Sequence, residues 1–97
     1  MTRRIFITVE YDGTPFVGWQ RQVTGLSVQQ VLEEAAAELT GGDILVQGAG
    51  RTDSGVHATG QVAHLDVPDK FDANRVMEAL NALTGDHPMS IIEAREV

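Results

Sequence analysis

Two stretches with helical spacing stand among four strand-like runs, in the order β-α-β-β-α-β. That order leaves few ways to fold. Residues 4–11 are rich in β-branched and aromatic side chains and read as a first strand, ended by the turn chemistry of Asp12-Gly13-Thr14-Pro15. Ser27 opens a helix, with Gln30 completing a capping-box pattern, and Val28, Val31, Leu32, Ala35, Ala36 and Leu39 line one face. Gln29, Glu33, Glu34 and Glu38 fall largely on the other side, and Gly41-Gly42 stops the helix. Residues 43–47 and 61–67 read as the second and third strands, the latter stopped by Pro68. Asp72 caps a second helix with Val76, Leu80 and Leu83 as its core stripe, closed by Gly85 and blocked by Pro88. Residues 90–97 form the fourth strand.

This is the split βαβ, ferredoxin-like pattern, an α+β fold. Right-handed crossovers place both helices on one face of a four-stranded antiparallel sheet and leave the other face open. Alternation in the first strand turns Ile5, Ile7 and Val9 toward the helices. Arg4, Phe6, Thr8 and Glu10 then face outward, so Phe6 lies on a surface that needs RNA, a second domain or another subunit. The 97 residues suffice for one domain.

Several classes of function are excluded or disfavoured. Without cysteine there is no disulfide, thiolate metal site or cysteine nucleophile. The apolar run from Ile5 to Val9 is too short for a signal segment or a membrane span. A net charge of −7 counts against general nucleic-acid binding, unless the seven Lys and Arg gather on one face. Arg21 and Arg51, both in glycine-bearing loops, would permit such gathering.

Residues 48–58, Gly-Ala-Gly-Arg-Thr-Asp-Ser-Gly-Val-His-Ala, join the second and third strands and hold the candidate chemistry. Asp53 beside Arg51 suits a carboxylate kept ionised as a nucleophile or base. The same residues also suit a turn-capping aspartate paired with an arginine, the commoner use of a loop Asp. His57 and His64 with Asp53 or Asp66 match no tight zinc spacing, so structural histidines are the better reading. Gly48-Ala49-Gly50 lacks the third glycine and the following helix of a dinucleotide fingerprint. Tyr11, Phe16 and Trp19 lie near Gln20, Arg21 and Gln22, which suits stacking on bases. The alternative is that Phe16 and Trp19 pack beneath the loop.

Residues 11–22, Tyr-Asp-Gly-Thr-Pro-Phe-Val-Gly-Trp-Gln-Arg-Gln, resemble the opening motif of the tRNA pseudouridine synthase A family. Residues 48–53, continuing through 55–58 and 60–62, resemble that family's active-site motif, in the same order and with a helix between. The resemblance implies isomerisation of uridine to pseudouridine in the anticodon stem-loop of tRNA, without cofactor or metal. It implies Asp53 as the catalytic residue. It implies that Arg51 fills the place of the flipped base, and that Thr52, Arg21, Gln22 and His57 contact RNA. It further implies a cytoplasmic enzyme, homodimeric at full length, of which residues 1–97 are the N-terminal catalytic-aspartate domain. It implies too that a similar C-terminal domain, an active-site tyrosine and a basic partner for the aspartate belong to sequence beyond Val97, and that residues 1–97 alone have little or no activity.

Two other readings stand beside this one. An acylphosphatase-like hydrolase has the same strand order and would use Arg21, but Asn74 and Asn81, the only asparagines, both fall on the second helix. A non-catalytic module would bind RNA or a partner chain through the open sheet face.

Overall fold

The structure, a computed structural model, describes residues 2–12, 16, 18–19, 25–48 and 58–96. Its elements are β1 (Thr2–Tyr11), α1 (Val28–Thr40), β2 (Val46–Gly48), β3 (Ala58–Pro68), α2 (Ala73–Leu83) and β4 (Met89–Glu96). The strands form one antiparallel sheet in the order β2-β3-β1-β4. This is the expected ferredoxin-like arrangement.

The alternation in β1 decides the two faces. Ile5, Ile7, Val9 and Tyr11 are buried with Ala63, Leu65 and Val67 of β3 and Val46 of β2. They form one core with Val28, Val31, Leu32, Ala35 and Ala36 of α1 and Val76 and Leu80 of α2. The outward face carries Arg4 opposite Asp66, Phe6 opposite His64 and Arg95, and Thr8 opposite Val62 and Glu93. Phe6 is half-buried by its neighbours in the sheet. His64 stacks on it at 5.5 Å, and the Arg95 guanidinium lies 5.6 Å from its ring centre.

The helix ends follow from their caps. The Gln30 N–H donates to Ser27 Oγ (3.1 Å), and the Arg75 N–H donates to Asp72 Oδ1 (2.8 Å). Only half of the capping box forms, because the Gln30 amide turns forward to Glu34 (3.2 Å) instead of back to Ser27. Gly41 takes φ 78°, the left-handed C-cap that glycine adopts without a Cβ penalty.

Several strand ends shift by one or two residues, and larger differences from expectation occur at β2, β3, α2 and Glu33. β2 starts at Val46, not residue 43, because its ladder with β3 begins at the Val46–Leu65 pair; Leu45 is 71% exposed. β3 begins at Ala58, earlier than residue 61, because β1 extends to Tyr11 and offers a pairing partner there. α2 is closed by Thr84, not Gly85. The buried Thr84 hydroxyl donates to the Leu80 carbonyl (2.7 Å) and takes the core position four residues after Leu80, leaving Leu83 38% exposed. Glu33, expected on the solvent side of α1, is buried.

Candidate active site

The strands determine where the two motif segments leave the sheet. β2 ends at Gly48 and β3 begins at Ala58, so residues 49–57 join neighbouring antiparallel strands. Ala58 pairs with Tyr11, the last residue of β1. Asp12 follows, and its N–H donates to the Pro88 carbonyl (2.9 Å), tying the start of the first motif to the approach to β4. Both motif segments therefore depart from the same end of the sheet.

Asp53, Arg51, Thr52, Arg21, Gln22 and His57 all lie outside the described residues. The described residues form the frame on which these six are mounted.

The aromatic residues of the first motif belong to that frame. Phe16 and Trp19 are each 2% exposed. Tyr11 meets Phe16 edge-on at 6.0 Å and Trp19 at 6.4 Å, and Phe16 lies 6.2 Å from His87. Of the two readings of these rings, packing beneath the loop is the correct one. Stacking of Phe16 or Trp19 on a base is ruled out by their burial. The backbone here also serves α1: the carbonyls of Gly18 and Trp19 accept the N–H groups of Val28 (3.2 Å) and Gln29 (2.9 Å). Gly18 has φ 112°, which disfavours any side chain at that position.

Two polar clamps join the helices to the sheet edges. Gln29 Nε2 donates to the Val46 carbonyl (2.9 Å), and the Val46 N–H donates to Glu33 Oε2 (3.0 Å). At the opposite sheet edge, Asn81 Nδ2 donates to the Ile91 carbonyl (3.0 Å), and the Ile91 N–H donates to Asn81 Oδ1 (2.7 Å). The i, i+4 spacing of Gln29 and Glu33 at the margin of an apolar stripe was the only available signal. Asn81, bonded in this way to a strand backbone, gives no support to a water-orienting role in an acylphosphatase-like site.

The charge pattern separates the two ends of the sheet. Arg3, Arg4, Lys70 and Arg75 are on or near the end opposite the motif segments, and Arg95 faces Phe6 midway along β1. Arg3 pairs with Glu96 (2.7 Å) and Arg4 with Asp66 (2.9 Å). A cleft of about 840 Å³ opens at the motif end, lined in part by Glu10, Tyr11, Asp12, Asn81, His87 and Ser90. Its two acidic residues make it a poor seat for phosphate. Among the described residues no group of three or more His, Asp or Glu could hold a metal ion, and no helix is long and apolar enough to cross a membrane.

Comparison with known proteins agrees with this frame. The family model described as tRNA pseudouridine synthase matches residues 7–97. The tRNA pseudouridine synthase A of Rhodospirillum rubrum is 56% identical over 94 residues, covering 97% of this chain and 34% of that protein. The protein of the same name from Acidiphilium cryptum is 58% identical over 95 residues, covering 95% of this chain and 36% of the relative. The chain thus spans about a third of the length of the curated relatives it matches. With a match that runs from Ile7 to the last residue, over strands and helices in the order the motifs require, the chain belongs to the tRNA pseudouridine synthase family.

Proposed function

We propose that this chain is the catalytic-aspartate domain of an enzyme that isomerises uridine to pseudouridine in the anticodon stem-loop of tRNA. The observation that carries the reading is the family match across 7–97, which includes the whole Asp53 segment. The frame supports it: 49–57 is tethered at both ends to paired strands, beside the departure of the first motif.

The chemistry asks for little beyond such a frame. The bond from uracil N1 to the ribose breaks, the ring rotates, and C5 bonds to the same sugar carbon. The hydrogen on C5 leaves as a proton, and N1 ends protonated. No electrons are gained or lost overall, so no redox partner is needed. Asp53 starts the process, either by covalent attack on the nucleoside or by removing a ribose proton to give a glycal. The base must first leave its stack, and Arg51, planar and cationic, fills the gap and holds phosphate. Arg21, Gln22, Thr52 and His57 contact the RNA around it. Because Arg3 and Arg4 are engaged with acidic partners at the far end, Arg21 and Arg51 carry the local phosphate contacts. In this reading a second domain completes the cleft, and the full-length enzyme is a cytoplasmic homodimer.

The test replaces the matched segment of the Rhodospirillum rubrum relative with this chain and follows tritium release from tRNA labelled at uracil C5. The chimera should be active, the 97-residue chain alone should show little or no turnover, and Asp53→Ala in the chimera should lower the rate by at least about a thousandfold. Undiminished release in Asp53→Ala removes that residue from its role.

A further inference from the structure

Glu33 is an acidic side chain only 7% exposed, and burial of such a group is costly unless it is bonded. Its Oε2 accepts the Val46 N–H (3.0 Å) and the Gln29 amide (3.4 Å), and Gln29 donates onward to the Val46 carbonyl (2.9 Å). Two side chains of α1 thus bond both backbone groups of one edge-strand residue, where a neighbouring strand would otherwise stand. β2 has three residues and a single neighbour, β3, a ladder too short to be firm by itself. Only Gln47 and Gly48 separate Val46 from the segment that holds Arg51 and Asp53.

We infer that Glu33 is a positioning residue: acting through Val46, it fixes the strand end from which the Asp53 segment departs. Resting on the proposed function only for its kinetic consequence, the inference adds an α1 side chain to the determinants of that site. The reason is geometric. A loop carrying a reacting group inherits any movement of its anchor, and a misplacement of about 1 Å can cost about a hundredfold in rate. The apolar contacts of β2 resist its lifting from the core. They resist sliding along the edge poorly, because Val46 is its one core residue while Gln47 and Gly48 are exposed. The two hydrogen bonds to α1 supply the missing restraint. The opposite edge uses the same device with Asn81 and Ile91, so closing a sheet edge from the helix layer recurs in this fold.

The experiment compares Glu33→Leu, which keeps bulk but accepts no hydrogen bond, with Glu33→Gln, which keeps an acceptor. Val67→Ala is the control, a buried β3 residue at the far end of the sheet. In the 97-residue chain, amide exchange at Val46 should quicken about tenfold or more in Glu33→Leu, the equivalent of one lost bond to a buried group. The change should extend through residues 47–57, and Glu33→Gln should restore protection. In the chimera described above, Glu33→Leu should slow single turnover about tenfold or more with tRNA affinity unchanged, and Glu33→Gln should recover most of the rate. Val67→Ala should destabilise the fold without slowing turnover. If Glu33→Leu does not fold, Glu33→Met, which keeps bulk and is at most a weak acceptor, takes its place.

The inference is overturned if Val46 stays protected in the Leu variant, if the exchange change stops at Val46, or if Gln is as slow as Leu. Equal slowing by Val67→Ala overturns it too. A chimera inactive with the wild-type segment would instead sink the proposed function, and the spread of exchange from Val46 would then decide the positioning role by itself.

Discussion

Asp66 and Arg4 show how much of a residue's behaviour comes from what stands across the sheet. Arg4 donates to both carboxyl oxygens of Asp66, at 2.9 and 3.2 Å. That hydrogen bonding holds the Asp66 carboxyl below its ordinary value; the charges of Arg4 and His64 act the same way, and partial desolvation opposes them. Because the folded value is the lower one, the ionised pair stabilises fully above about pH 4, where an unfolded Asp is also ionised. That contribution disappears as pH falls through the folded value. Both side chains are about half exposed, so the gain is small and screened by salt. In an NMR titration the Asp66 midpoint should lie below that of an ordinary aspartate and return to it in Arg4→Ala. An unmoved midpoint in Arg4→Ala would show that the pair does not form in solution. The outward direction of Arg4 was legible from alternation in β1, but its partner was not, because register between strands is set by the turns and the core.

At the scale of elements, local chemistry was readable wherever a cap acts on its own helix. Ser27 and Asp72 start their helices as their side chains require, and Gly41 stops α1. Ser27→Ala should cost about 1–2 kcal/mol, since the fully buried serine leaves the Gln30 N–H without an obvious substitute acceptor. Gly41→Ala should cost about 1–2 kcal/mol for backbone reasons alone, because a Cβ there meets nothing within 4 Å. Both follow from shifts in denaturant midpoint at constant slope. A neutral Gly41→Ala would mean the helix end relaxes out of the left-handed region. Gly85 is the stronger stop signal along the chain, yet Thr84 closes α2. In three dimensions Thr84 is fully buried, and its hydroxyl donates back to the Leu80 carbonyl.

Over the whole molecule, one apolar core joins both helices to one face of the sheet. Leu80, fully buried in it, should cost about 2–5 kcal/mol when cut to Ala, by lost transfer energy and the cavity left behind. That is a large part of the roughly 5–15 kcal/mol typical of a domain, so the thermal midpoint should fall by many degrees. A loss below about 1 kcal/mol would mean that α2 is not held by this contact.

The residue order of this chain determined the element order, the inward face of β1, the helix caps and the family motifs. Each of these depends on neighbours within a turn or on strict periodicity. Only the tertiary structure decided that Phe16 and Trp19 are core, that Leu45 and Leu83 face solvent, and that Glu33 and Asn81 bond the sheet edges. Those outcomes depend on which backbone groups and cavities distant segments leave unfilled, and a buried polar group goes where such a vacancy can bond it.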